Sequence, residues 1–189
     1  MGLLLFYAVI SIFFSFLCSI LEAVLLSVTP TFINVAITDG KSYAKALEKI
    51  KGDVDQPLIA ILTLNTIAHT VGAILVGVQA EQLPYTFEIL GVNVVGIVSA
   101  IMTILILVVS EIIPKTIGAT HWKKLTKFTT NVLLALIFFF KWTGILWVLQ
   151  LFTQLFGKSG HGSVLSREDF TAMTAIAEKR VFFKHLKVR

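Results

Sequence analysis

The sequence predicts an all-α integral membrane protein, and three observations carry that prediction. Of 189 residues, 56% are hydrophobic and only 14% charged, where a soluble domain carries about a quarter charged residues. Four stretches, 3–28, 57–80, 91–113 and 131–156, are long and apolar. Each reaches the roughly 20 residues that a helix needs to cross a bilayer core. The basic residues, finally, are confined to particular connections between these stretches. Together they predict three transmembrane helices, a juxtamembrane belt helix on the cytoplasmic side, and short cytoplasmic helices.

The first stretch has no basic residue before it and exceeds the roughly 7–15 apolar residues of a signal-peptide core, so it reads as a span. Cys18 within it is the only cysteine, which excludes an intrachain disulfide and any cysteine-based metal site. Thr29–Pro30 is a helix start, with threonine as cap and proline at the first helical position. Residues 42–51 place Ala44, Leu47 and Ile50 on one side and Lys45, Glu48 and Lys49 elsewhere, an amphipathic surface helix.

Lys41, Lys45, Lys49 and Lys51 lie between the first two stretches, and Lys115, Lys123, Lys124 and Lys127 between the third and fourth. The connection 81–90 carries only Glu81 and Glu88, whereas the tail after 156 is basic again. Basic residues near span ends stay in the cytoplasm, so the expected topology is an outer N-terminus and a cytoplasmic C-terminus in the plasma (inner) membrane. The third connection and the tail then lie on the same side, and the stretch 131–156, with Lys141, Trp142 and Trp147 in its middle, reads as a belt lying along the membrane or entering and returning. The alternative is a fourth span. GKSGHGS (157–163) is a flexible break, after which Ser166 with Asp169 caps a charged helix to about Arg180. The expected division is a membrane domain over 1–156 and a cytoplasmic connecting helix over 157–189. The net charge of +5 belongs to this topology and does not point to nucleic acid.

Ionisable groups inside spans usually face the protein interior or a water-filled cavity and mark function. Ser15, Ser19 and Glu22 share one face of the first span, and Asn65, Thr66, His69 and Thr70 punctuate the second. In the third, VVSEIIPKTIG brings Ser110, Glu111, Pro114 and Lys115 together. Proline has no N–H and displaces the carbonyl four residues back, here that of Ser110. A freed backbone oxygen, hydroxyls, an amide oxygen and a carboxylate form the oxygen-rich set that hard cations such as Mg²⁺ require. Plainer readings exist: Glu111 pairing with Lys115, serines bonding the preceding turn, and His69 bonding a neighbouring helix. Gly72, Gly77, Gly96 and Ala100 are expected to let the helices approach closely.

FxxxxSxxE in the first span, LNTxxxT in the second and SEIIPK after the third resemble the transmembrane domain of the CNNM/CorC (CorB) magnesium transporters, over roughly residues 3 to 180. The resemblance implies a homodimer in the lipid bilayer, three spans and a belt helix per subunit, a dehydrated Mg²⁺ between the spans, and export coupled to Na⁺ entry. It implies metal ligands at Ser19, Asn65, Thr66, Ser110 and Glu111. Ser15, Glu22, His69, Pro114 and Lys115 would support or gate the site. Here Ser110 stands where the family often has glycine, and residues 181–189 are too short a stretch to hold the regulatory nucleotide-binding module that family members commonly carry. Two other classes compete. An intramembrane hydrolase lacks an HExxH-type ligand set or a recognisable nucleophile motif, so no enzyme is expected. A non-transporting Mg²⁺ sensor or scaffold would bind the ion without moving it.

Overall fold

The computed structural model describes residues 2–82, 93–145 and 147. The acidic connection around Glu88, the end of the fourth stretch, the GKSGHGS break, the helix expected from Ser166 and the division at 156/157 lie outside the described residues. The described residues are helical: α1 (Gly2–Ser27), α2 (Pro30–Thr38), α3 (Ala44–Gly52), α4 (Asp55–Glu81), α5 (Val94–Leu105), a π-helical segment (Ile106–Ile112) and α6 (Ile113–Trp142). Three helical runs are long and apolar enough to cross a membrane: Gly2–Ser27, Asp55–Glu81 and the continuous run Val94–Trp142.

The short elements follow the local chemistry of the sequence. Thr29 is extended and its side chain accepts the Phe32 N–H at 3.3 Å, with Pro30 opening α2. The helix closes on Gly40 at φ +68. There the Lys41 N–H reaches the Ala36 carbonyl and the Gly40 N–H reaches that of Ile37, a left-handed cap that glycine adopts without strain. α3 buries Ala44, Leu47 and Ile50 as its periodicity predicts. Its Lys51 Nζ donates to the Leu25 carbonyl at 2.8 Å, satisfying one of the acceptors that every helix end leaves open. Asn93 caps α5 by accepting the Gly96 N–H at 2.9 Å.

α1 is the central helix, against which α4 and α6 both pack. Ser11 donates to the Ala68 carbonyl at 2.7 Å, Ser15 bonds His69, and Leu21 and Leu25 share a cluster with Ile61. These pairs run in opposite directions, so α1 and α4 are antiparallel. Gly72 lets them close: a Cβ there would collide with the Ser11 side chain. Gly118 does the same for α6, where a Cβ would lie 2.8 Å from Ala23 Cβ and 3.1 Å from the Ile20 carbonyl oxygen. Gly77, by contrast, has nothing near it, and Ala100 is exposed. Between spans there is no gain from leaving water, so close van der Waals approach and hydrogen bonds carry the association.

The expected connection around Lys115–Lys127 is itself helical. α6 covers it as two helical stretches joined at a kink, where His121 has non-helical angles (φ −107, ψ 18). The lysines there are exposed, and lysine is a good helix former, so charge alone does not end a helix. Beyond His121, Trp122 and Leu125 pack near Val24 and Val28, Leu133 near Cys18, Leu21 and Ile61, and Phe140 against Ala60. This half of α6 therefore packs from α1 across to α4, and it begins well before position 131.

Candidate functional site

The polar side chains of the spans stack in three successive levels. At the first, Ser15 Oγ on α1 hydrogen-bonds His69 Nε2 on α4. The other ring nitrogen, Nδ1, stands 3.9 Å from Glu111 Oε1 in the π-helical segment. At the second, the α1–α4 register sets Ser19 level with Asn65, one turn along from Ser15 and His69. Ser19 Oγ and Asn65 Oδ1 are buried and have no hydrogen-bond partner among the described residues. At the third, Glu22 Oε2 pairs with Lys115 Nζ at 3.3 Å.

The π-helical segment sets the position of Glu111. Across it the backbone bonds reach back five residues, ending with the Ile113 N–H on the Val108 carbonyl. The next donor in that register would come from position 114, and proline has none. Pro114 thus leaves Val109 without its π-register donor and Ser110 without the donor that the α register would supply. Ser110 is fully buried, and its hydroxyl donates to the Ile106 carbonyl at 2.6 Å. Pro114 is buried where α6 opens. Such wide turns are rare and recur at functional sites.

Two of the sequence readings, the alternative pairing of Glu111 with Lys115 and the place of Thr66 in the group, have no counterpart in the geometry. Glu111 does not pair with Lys115; the π segment ends between them, so four residues no longer make one aligned helical turn. Lys115 turns to Glu22 on α1 instead. Thr66 does not join the group: it is exposed and its hydroxyl donates to its own helix, to Leu62 O at 2.8 Å. One residue from Asn65, it points about 100° further round the helix. Sequence reasoning missed Ser11 and Gly118, which set the helix spacing, and the buried, partnerless Thr129 Oγ1. For Gly118 the available signal was a small residue one turn after Pro114.

Ser15, His69 and Glu111 have the residue types of a hydrolytic triad. Ser15, however, is fully buried at a helix contact, and 3.9 Å exceeds hydrogen-bond reach between histidine and carboxylate, so no hydrolytic role is assigned. Among the described residues no three His, Cys, Asp or Glu side chains gather. Any cation here would meet mainly hydroxyl, amide and carbonyl oxygens beside one carboxylate, which is the chemistry of hard ions.

The chain matches the family model of the cyclin M (CNNM) transmembrane N-terminal domain over residues 6–185. It belongs to the CNNM transmembrane-domain family. It is an integral membrane protein, and three helical runs among the described residues are long and apolar enough to cross the membrane. Among relatives, a UPF0053 protein of Synechocystis sp. is 31% identical over 150 residues, covering 74% of this chain and 38% of the relative. A UPF0053 protein of Haemophilus influenzae is 28% identical over 133 residues, covering 70% and 30%. The chain thus spans about a third of the length of these curated relatives.

Proposed function

We propose that this membrane domain transports a divalent cation, Mg²⁺, and that the ion passes between the spans at the level of Ser19 and Asn65. The observation that carries the reading is the pair of buried oxygens without partners at that level. A buried polar atom left unpaired costs about 1–3 kcal/mol, a cost that a passing cation removes. Mg²⁺ takes about six oxygens at roughly 2.0–2.1 Å and usually keeps some of its waters. The amide oxygen of Asn65, the Ser19 hydroxyl and the unclaimed backbone oxygen before Pro114 would replace part of its hydration shell. Ser110 would contribute its backbone rather than its hydroxyl.

Charge balance divides between the flanking levels. Glu111 supplies the negative charge on one side. On the other, the Lys115 ammonium occupies Glu22 as a tethered cation, so an arriving ion competes with it for that carboxylate. Pro114 keeps the segment between them open. The basic residues at span ends support an outer N-terminus and a cytoplasmic C-terminus, and the resemblance to CNNM/CorC transporters supports a homodimer, export, and coupling to Na⁺ entry.

The test is Mg²⁺ flux into or out of proteoliposomes under an imposed Na⁺ gradient, comparing wild type with Glu111→Ala. Flux that the variant loses while keeping its fold supports the assignment. Mg²⁺ binding that depends on Glu111, without flux in either protein, would make the domain a sensor instead.

A further inference from the structure

The second half of α6 changes character along one exposed face. After the kink at His121, Lys123, Lys124 and Lys127 are exposed, and so are Leu134 and Phe138 further along. At 100° per residue, Lys123, Lys127, Leu134 and Phe138 fall within about 60° of one another. One stripe therefore begins as ammonium groups and continues as hydrocarbon as far as Lys141, whose long stem lets its charge reach back to the interface. A helix lying flat on the membrane would instead keep charged and apolar residues on opposite faces along its whole length.

The packing of α6 accounts for the change. Trp122 and Leu125 pack near Val24 and Val28, at the Ser27 end of the first span, whereas Leu133 packs near Cys18 and Leu21. From Val28 to Leu21 is about 10 Å along α1. α6 thus slopes from the membrane interface into the hydrocarbon, with the lysines at headgroup level on the side that faces lipid. The Lys123 ammonium lies 5.5 Å from the Trp122 ring centre, and that ring stands edge-on to Phe32 of α2. The charge is uncompensated as well. Residues 112–145 contain no Asp or Glu, and among the described residues none of the three lysines forms an ion pair. α3, by contrast, carries Glu48 beside Lys45 and Lys49.

We infer that this stripe binds an anionic phospholipid, its phosphate among Lys123, Lys124 and Lys127 and one acyl chain along Leu134 and Phe138. These two side chains lie about 10 and 16 Å beyond Lys127 along the helix, which suits the roughly 15 Å of hydrocarbon in one leaflet. Every phospholipid carries a phosphate, but three lysines without an acidic neighbour favour a headgroup that keeps a net negative charge. Each lysine near an anionic surface contributes about fivefold. A second copy of the chain packed stripe to stripe would offer these lysines no acid, and desolvating unpaired charge is costly.

The chain carries its own probe, because its three tryptophans, Trp122, Trp142 and Trp147, lie on α6 or just past it. The experiment reconstitutes the full chain into phosphatidylcholine vesicles containing brominated phosphatidylglycerol or brominated phosphatidylcholine, and reads tryptophan quenching. Wild type should prefer the anionic lipid by about tenfold or more. Lys123→Gln, Lys124→Gln and Lys127→Gln together should reduce that preference to about twofold or less, while the corresponding Lys→Arg variant keeps it. Lys45→Gln with Lys49→Gln in α3 should leave it unchanged. Inorganic phosphate should displace the lipid no better than chloride at equal ionic strength. A preference absent from wild type, kept by the glutamine variant, or lost equally in the α3 variant would overturn the site. Phosphate that outcompetes chloride would make the ligand a free anion, and tryptophans quenched by neither lipid would mean that protein covers the stripe. Either result would overturn the lipid assignment.

Discussion

Substituting Gly118 by alanine tests whether the contact between α1 and α6 sets the spacing of the polar levels. The added Cβ would lie 2.8 Å from Ala23 Cβ and 3.1 Å from the Ile20 carbonyl oxygen. Carbon atoms in good contact sit about 3.5–4.0 Å apart, so the helices must separate by about 1 Å. Neither neighbour is the end of a flexible chain that swings aside. Overpacking of this kind costs about 1–3 kcal/mol, while replacing glycine inside a helix returns about 0.8–1.0 kcal/mol. Gly77→Ala is the matched control, because nothing stands within 4 Å of its added Cβ and the propensity gain is the same. The difference between the two variants is therefore the overpacking alone. At about 2–4 °C per kcal/mol for a chain of this size, Gly118→Ala should unfold about 2–12 °C below Gly77→Ala in detergent. Ile20 and Ala23 adjoin Ser19 and Glu22, so Mg²⁺ binding should weaken with it. Equal melting temperatures, or a destabilised variant with unchanged Mg²⁺ affinity, would refute the claim that this contact positions the site.

Asn65→Ala removes an acceptor whose burial without a partner is unfavourable, so the ion-free protein should melt within about 3 °C of wild type. The stabilisation by Mg²⁺, about 2.7 kcal/mol at a hundred times the Kd, should vanish in the same melting assay. Lys115→Met breaks a half-exposed ion pair with Glu22 worth under about 1 kcal/mol. Stability should hardly change, whereas Mg²⁺ binding by calorimetry should tighten as the tethered competitor is lost. Burial holds the pKa of Lys51 below the ordinary lysine value of 10.5. The folded protein then binds fewer protons than the unfolded chain between that lowered value and 10.5, so stability rises with pH across this window. Thermal unfolding at a series of alkaline pH values should show that slope in wild type and lose it in Lys51→Met.

What the sequence made legible was local. Thr29 and Pro30 announce α2, and the spacing of Ala44, Leu47 and Ile50 identifies the buried face of α3. Ser15, Ser19 and Glu22 share a helix face by simple periodicity, as do Asn65 and His69, and hydropathy alone locates the spans. What escaped depended on register between helices. Lys115 has two carboxylates within plausible reach, and only the π segment decides for Glu22. Thr66 looks equivalent to Asn65 in sequence and differs by a rotation about the axis. Gly72 and Gly77 are both small residues in one span, yet only the first meets a neighbour. The lysines at 123, 124 and 127 read as a connection because they lie between two apolar stretches, whereas they occupy the exposed side of a helix.

The π-helical segment also has a consequence for how this chain tolerates change. A wide turn holds one residue more than an α-helix needs, so α5 and α6 are out of phase by about one residue, or 100° of rotation. Met102 in α5 and Pro114 with Gly118 in α6 all face inward only because of that offset. Deleting a single residue between 106 and 112 would restore a plain α-helix in which Met102 and Pro114, then about one residue closer, still share a face. In an ordinary span a deletion turns everything beyond it by about 100°; here it would leave the buried faces and the hydropathy nearly unaltered and remove only the wide turn that carries Glu111.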